Sequence, residues 1–213
     1  MDEDAKKNER ELRKYRAKLR MDYYPLPLRW FKFFRYVSMI LNIINCISGI
    51  ISYILIAATI NNPEAIEKIQ AAFAEMSGTS GINMELFTVI AVADFLVTVY
   101  LLVLCVLVFK RMGTLAVSGY NLIVAFLISV PVINGVRQLM SGCLNVMVYP
   151  EVYTFGDTIR NMIVMIAFSG VASLLNYIYF RKRKSLFTDN PEIDDIETVS
   201  YTHLRAHETD QYL

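Results

Sequence analysis

Residues 86–109, LFTVIAVADFLVTVYLLVLCVLVF, decide how the rest of the chain is interpreted. This stretch contains a single charged residue, Asp94, and is followed directly by Lys110 and Arg111. A helix of that length extends about 36 Å, which is enough to cross a hydrocarbon core of roughly 30 Å. We therefore expect residues 86–109 to form a membrane span.

The whole chain has the composition of a membrane protein. Of its 213 residues, 55% are hydrophobic and 19% are charged, and its mean hydropathy is +0.39. The apolar residues are concentrated in four blocks rather than spread along the chain. We expect an all-α fold, a four-helix transmembrane bundle with spans at about 33–60, 86–109, 115–140 and 162–180.

The distribution of lysine and arginine indicates the orientation of the spans. Eleven of these residues, from Lys6 to Arg35, lie before or at the start of the first span, two (Lys110 and Arg111) separate the second from the third, and four, Arg181 to Lys184, directly follow the fourth. The first loop holds only Lys68, and the third holds only Arg137 and Arg160 at its borders. Cytoplasmic segments carry an excess of Lys and Arg. The sequence therefore predicts a multi-pass protein of the cell membrane with both termini in the cytoplasm.

The N-terminal segment is dense in charge. Residues 2–20, DEDAKKNERELRKYRAKLR, favour a helix, which Pro25 and Pro27 would end. Two interpretations are open: a solvated cytoplasmic helix, or a basic segment attracted to anionic lipid headgroups. We treat residues 1–24 as a charged N-terminal helix and residues 25–187 as the membrane domain.

Aromatic and basic residues alternate at the borders of the membrane domain. Rings at headgroup depth, with cations extending outward from them, are typical of a membrane interface. The predicted interfacial anchors are Trp30, Lys32, Arg35, Arg181 and Lys182. A basic-aromatic pattern can also bind nucleic acid, but this one leads directly into an apolar span, so we expect no nucleic-acid partner.

The first and third loops are predicted to be extracytoplasmic. In the first loop, Asn62 is a plausible N-cap, Pro63 a first-turn residue and Gly78 a stop, which together predict a helix. Its apolar residues fall on one face, so we expect an amphipathic helix; they are Ile66, Ile69, Phe73 and Met76. The third loop, residues 141–161, could hold a short hairpin or lie flat on the bilayer, and the sequence leaves both open.

Asp94 is the one acidic residue well inside a predicted span, about 12 Å from the outer end of its helix. A charge at that depth is costly unless it is paired or protonated. The third span is joined to the second by a tight turn and carries Asn134 and Arg137 near its outer end. We expect an Asp94–Arg137 contact, or a hydrogen bond to Asp94 from Asn134 or from Asn45 of the first span.

This intramembrane polar cluster has two interpretations. In the first, Asp94 is satisfied inside the bundle and holds the helices together. In the second, it is a proton- or cation-binding carboxylate in a transport path, which a second intramembrane acid or a broken helix would support. The sequence contains neither and offers only Pro131, which is expected to kink the third span.

Catalytic and metal-binding patterns are missing from the sequence. There is no glycine-rich phosphate loop, no nucleophile elbow and no CxxC or HExxH motif. Cys46, Cys105 and Cys143 share no metal-ligand spacing and are interpreted as packing residues. Both histidines, His203 and His207, lie in the last fifteen residues. We expect no catalytic residue, no metal and no cofactor, and therefore no enzyme.

The C-terminal residues form two further segments. The chain becomes acidic after Phe187, and residues 188–198 are predicted to be a disordered tail. Residues 199–213, VSYTHLRAHETDQYL, resemble the conceptual translation of a transposase sequencing adapter. We therefore expect the natural polypeptide to end, or to be truncated, near Thr198.

Two segments carry a resemblance to a known group of proteins. They are LPLRWFKFFRYVSMILNII at residues 26–44 and NYIYFRKRKSLF at residues 176–187. Both resemble uncharacterised four-span bacterial membrane proteins of the Firmicutes type, over about residues 25–187. Some of those proteins carry a zinc ribbon before the first span, but no CxxC precedes the first span here. The resemblance implies location and topology, and no activity.

These observations predict a multi-pass membrane protein without enzymatic activity that has an accessory or interaction role in the cell envelope. Its partners would be the lipid bilayer and either another membrane protein or a second copy of the chain. The alternative is a small transporter or channel subunit that uses Asp94 as an intramembrane proton or cation site.

Overall fold

The computed structural model describes residues 3–77, 84–149 and 151–188, and every regular element in these ranges is helical. The α-helices are α1 (Glu3–Asp22), α2 (Arg29–Phe33), α3 (Met39–Ile60), α4 (Pro63–Ser77), α5 (Met84–Met112), α6 (Val117–Val148) and α7 (Phe155–Arg181). A π-helical turn, Phe34–Ser38, joins α2 to α3, and a 3-10 turn, Lys184–Leu186, follows α7. The expected all-α class is confirmed for these ranges. The predictions for residues 189–198 and 199–213 lie outside the described residues.

Four helical segments are long and apolar enough to cross a membrane, which confirms the predicted number and order of candidate spans. The first, Arg29–Ile60, comprises α2, the π-helical turn and α3, and has 32 residues. The other three correspond to α5, α6 and α7. The first helix begins at Arg29 rather than near residue 33, because the aromatic and basic border residues are themselves helical.

The connection between the third and fourth spans differs from the expected loop at 141–161. α6 continues through Pro131 to Val148 and α7 begins at Phe155, so most of that segment is helical rather than a hairpin. A capping box begins α7: the Asp157 amide donates to Thr154 Oγ1, and the Thr154 amide donates to Asp157 Oδ2, both at 3.2 Å. The sequence Thr-x-x-Asp is the signature of such a cap, so the start of α7 could have been predicted.

The long helices pack in chain order, α3 on α5, α5 on α6 and α6 on α7. One end of this bundle, called the basic end below, carries Arg35, Lys110, Arg111 and Arg181. There the Arg35 guanidinium lies 5.2 Å from the centroid of the Phe109 ring, so the start of the first span is beside the end of the second. The opposite end, at Ile60, Met84 and Val148, is called the far end.

An aromatic cluster of Phe31, Phe34 and Phe180 forms the core of the basic end. None of the three is more than 3% exposed. Phe180 meets Phe34 with ring centroids 4.9 Å apart and Phe31 with centroids 6.2 Å apart. Beside this cluster, Trp30 Nε1 donates a hydrogen bond to Asn176 Oδ1 at 2.9 Å. These contacts join the first span to the fourth.

The N-terminal helix α1 is attached to the basic end rather than free in solvent. Ala17 is only 1% exposed, although most of the neighbouring α1 side chains are exposed. Arg20 Nη1 donates to the Thr188 carbonyl oxygen at 3.0 Å, and the Thr188 amide donates to the Leu115 carbonyl oxygen at 3.1 Å. α1 is therefore connected to the turn between α5 and α6 through the segment after α7.

The predicted helix of the first loop is α4. Its predicted N-cap is confirmed, because Asn62 Oδ1 accepts a hydrogen bond from the Glu64 amide at 3.1 Å. The predicted stop at Gly78 and the side chains of Ile69, Phe73 and Met76 lie outside the described residues. The amphipathic character of α4 therefore stays a prediction.

A glycine allows α6 and α7 to approach closely, and this predicts opposite effects for two Gly→Ala substitutions. A Cβ added at Gly142 would lie 2.8 Å from Thr158 Cβ, whereas a Cβ added at Gly170 meets nothing within 4 Å. Gly142→Ala is expected to lower the free energy of unfolding by about 1–3 kcal/mol through overpacking. Gly170→Ala should leave it unchanged or raise it by up to about 1 kcal/mol through helix propensity. Thermal unfolding in detergent micelles checks both, and a Gly142→Ala midpoint at or above the wild-type value would contradict the close approach.

Candidate functional site

Three helices contribute polar side chains to one position within the bundle. Asp94 and Thr98 lie one turn apart on α5, so both point to the same side of that helix. Tyr53 comes from α3, and Arg137 comes from α6. These four residues are called the Asp94 cluster below. α5 is the central member, since α3 and α6 pack on it from two sides.

Both carboxylate oxygens of Asp94 have a hydrogen-bond donor within the chain. Arg137 Nε donates to Asp94 Oδ1 at 2.8 Å, and the Tyr53 hydroxyl donates to Asp94 Oδ2. Arg137 Nη2 donates in addition to Thr98 Oγ1, and Thr98 Oγ1 donates to the main-chain oxygen of Asp94 at 2.8 Å. The four residues therefore form a connected network that links α3, α5 and α6.

The Asp94 cluster is partly shielded from its surroundings. The Asp94 side chain is 24% exposed and the Arg137 side chain 33% exposed, while Thr98 is 2% exposed. A partly buried ion pair is screened less than a surface pair, and additional hydrogen bonds help to offset the cost of desolvating the two charges. The arrangement is thus a charge-neutral connection between helices.

The structure brings together Asp94 and Arg137, as expected, but it does not join the two asparagines to them. Asn45 is exposed on α3, because the face of α3 that packs on α5 carries Cys46 and Gly49, and one residue corresponds to a rotation of about 100°. Asn134 lies one turn from Arg137 toward the basic end. Within the described ranges, neither Asn45 nor Asn134 has a hydrogen bond to Asp94.

Sequence reasoning missed two members of the cluster. Thr98 could have been predicted from its spacing, since a hydroxyl residue four positions after Asp94 must lie on the same side of the helix. The sequence indicated Tyr53 more weakly, as a tyrosine inside an apolar span whose hydroxyl needs a hydrogen-bond partner. Locating that partner required the relative positions of α3 and α5, which periodicity alone does not give.

A cavity of about 360 Å³ lies between α3 and α5 on the far-end side of the cluster. Its walls are mainly apolar and include Ile54, Ala57, Val92 and Phe95. Tyr53 is the member of the Asp94 cluster that lines it. The cavity therefore reaches the hydroxyl-bearing residue that donates to Asp94.

The predicted interfacial anchors differ in their surroundings. Arg35 is half-buried, with Nη1 donating to the Tyr36 hydroxyl at 2.8 Å, and Trp30 is bonded to Asn176 as described above. Lys32, Arg181 and Lys182 are exposed at the basic end. Arg35 and Trp30 therefore contact other residues of the chain, whereas Lys32, Arg181 and Lys182 extend away from it.

Arg183 is a buried cation that sequence reasoning did not single out within Arg181–Lys184. It is 7% exposed and lies 3.7 Å from the centroid of the Tyr179 ring. Its Nη2 donates to the Pro27 carbonyl oxygen at 3.0 Å, and its Nη1 donates to the Tyr179 carbonyl oxygen at 3.2 Å. The i, i+4 spacing of Tyr179 and Arg183 was the available signal.

No protein-family model matches the chain, and neither a curated protein nor a solved structure matches it. In the part of the chain that the structure describes, no group of three or more His, Cys, Asp or Glu residues is placed to hold a metal ion. Cys46 and Cys105 are buried and Cys143 is half-buried, and all three are free thiols.

Proposed function

We propose that the chain is an integral protein of the cell membrane that crosses the bilayer four times, with both termini in the cytoplasm. The four apolar helices support insertion into a bilayer, because soluble folds rarely expose such long apolar faces. The clustering of cations supports the orientation: the basic end would face the cytoplasm, and α4 and the short connection at 149–154 would lie outside.

We further propose that the protein is an accessory or interaction protein of the cell envelope and not an enzyme. The observation that carries this proposal is the hydrogen bonding of Asp94, whose two carboxylate oxygens are both occupied by donors from the chain itself. Such an arrangement suits a residue that holds helices together. Residues 1–198 contain no histidine, which removes the commonest general base from that part of the chain.

The exposed side of α1 is the proposed docking surface for a membrane-protein partner or for a second copy of the chain. Ala17 attaches this helix to the basic end, while Glu11, Lys14 and Lys18 are exposed. A rigid helix with charges of both signs can recognise a complementary charged surface and fix the orientation of a partner.

A transporter or channel subunit is the second candidate function, and the cavity lined by Tyr53 favours it. In that function, Asp94 would exchange a proton or bind a cation through the Tyr53 side of the cluster. The replacement Asp94→Asn keeps the shape of the side chain and removes its charge. A transporter would lose ion flux in proteoliposomes with this change, whereas an accessory protein would lose mainly stability or assembly.

Capture of partners from native membranes tests the accessory function. The triple variant Glu11→Ala/Lys14→Ala/Lys18→Ala is expected to lose at least one protein that tagged wild-type chain retains, since it removes the charges of the docking surface. The matched control is Glu67→Ala/Lys68→Ala on the exposed side of α4, which should retain it. Equal capture by wild type and both variants would contradict the accessory function. If ion flux also disappeared in Asp94→Asn, the transporter function would be supported instead.

A further inference from the structure

A cleft of about 470 Å³ lies at the basic end, between α1 and the turn that joins α5 to α6. This volume falls within the range of about 300–1,000 Å³ that is typical of sites for small molecules. The charged and hydroxyl-bearing residues that line it are Glu9, Arg13, Arg16, Arg20, Arg111, Thr114, Ser118 and Thr188. Four guanidinium groups and one carboxylate give this cleft a strong positive charge.

Two of the four arginines have no carboxylate partner within the ranges 3–77, 84–149 and 151–188. Arg13 is paired with Glu9, with 2.5 Å between Arg13 Nη2 and Glu9 Oε1. The guanidinium groups of Arg16 and Arg111 form no ion pair with any of the described residues. A bound anion would supply the negative charge that Arg16 and Arg111 lack in this cleft.

The N-terminus of α6 adds a second feature that favours an anion. α6 begins at Val117, and its N-cap residue, Ala116, provides no side-chain hydrogen bond. Its first turn contains no acidic residue. Ala116 and Ser118 both line the cleft. The dipole of α6 favours negative charge near its first turn, so the arginines and the helix terminus act on the same space.

We propose that this cleft binds a phosphate group and that the headgroup of an anionic phospholipid supplies it. Arginine recognises phosphate through its planar fork of donors, and the Ser118 hydroxyl is placed to donate to a further oxygen. Arg111 follows Phe109, the last residue of the apolar run in α5, by two positions, and the Phe109 ring lies 6.3 Å from the ring of the exposed Tyr36. The cleft is therefore at headgroup depth, and this choice of a lipid source rests on the proposed membrane insertion.

Lipid binding to the purified full-length chain in detergent micelles tests the proposal, with native mass spectrometry counting bound molecules. The probes are phosphatidic acid, phosphatidylglycerol, phosphatidylcholine, glycerol 3-phosphate and inorganic phosphate. We expect the two anionic lipids to bind and phosphatidylcholine to bind at least tenfold more weakly. Arg16→Gln/Arg111→Gln should reduce the affinity for the anionic lipids by roughly tenfold or more, since each juxtamembrane cation contributes strongly.

The matched control is Lys14→Gln/Lys18→Gln, which removes two charges from the same helix outside the cleft lining. This variant should keep its affinity within about threefold of wild type, because neither side chain lines the cleft or can form a direct hydrogen bond to a phosphate held there. Equal losses in the two double variants would overturn the site and leave only diffuse attraction. Tight binding of glycerol 3-phosphate without lipid binding would overturn the lipid source. The micelle measurement does not depend on orientation in a bilayer, so its failure is distinguishable from a failure of the proposed topology.

Discussion

Replacing Arg137 by methionine is expected to lower the free energy of unfolding by about 2–3 kcal/mol. The change leaves Asp94 Oδ1 without its donor and removes the charge that balances the carboxylate. Removing one partner of a fully buried ion pair costs more than this. The expected value is reduced because the two side chains are 24% and 33% exposed. Unfolding by denaturing detergent, monitored by helical circular dichroism, measures the change.

Two comparisons make the Arg137 prediction specific to the ion pair. The double variant Asp94→Asn/Arg137→Met should recover most of the lost stability, because no uncompensated charge then remains. Arg160→Met should change stability by no more than about 0.5 kcal/mol, since the Arg160 side chain is 71% exposed in its pair with Asp157. A double variant as unstable as Arg137→Met alone would contradict the pairing of Asp94 with Arg137.

Replacing Phe180 by alanine is expected to have the largest effect, a loss of about 3–5 kcal/mol in the free energy of unfolding. Phe180 is 0% exposed and contacts Phe31 and Phe34 of the first span. The loss arises because the neighbouring rings would face a cavity and lose their dispersion contacts, whether water or lipid surrounds the bundle. The same denaturing-detergent measurement gives the size of the effect.

Phe168→Ala is the matched control for this aromatic cluster. Phe168 lies on the same helix, α7, but is 76% exposed, so its removal creates no cavity. It should change stability much less than Phe180→Ala does. Similar losses in both variants would mean that the aromatic cluster at the basic end does not hold the first and fourth spans together.

The sequence was sufficient for the four candidate spans and for the helix of the first loop. Spans can be predicted because each is a local pattern: an apolar run of sufficient length that ends in charged residues, as residues 86–109 do before Lys110. The same local logic applies to Asn62 as an N-cap. It failed at residues 141–161, which were expected to form a loop, because Thr154 was not recognised as the residue that caps α7.

The Asp94 cluster was only partly predictable. Arg137 could be paired with Asp94 because a tight turn makes α5 and α6 antiparallel neighbours, which fixes their relative height. Tyr53 could not be paired with Asp94 in the same way. A long loop separates α3 from α5, and the rotation of α3 about its own axis is set by tertiary packing. The docking of α1 on the basic end depends on Ala17, a small residue within a charged segment that no periodicity marks.

Thiol labelling on intact cells tests directly which end of the bundle faces the cytoplasm. Single cysteines replace Lys110 at the basic end and Glu151 at the far end, in a chain whose native cysteines are serines, and intact cells receive a membrane-impermeant thiol reagent. We expect labelling of Glu151→Cys in intact cells, and labelling of Lys110→Cys only after the membrane is permeabilised. Labelling of Lys110→Cys in intact cells would contradict a cytoplasmic location of the basic end.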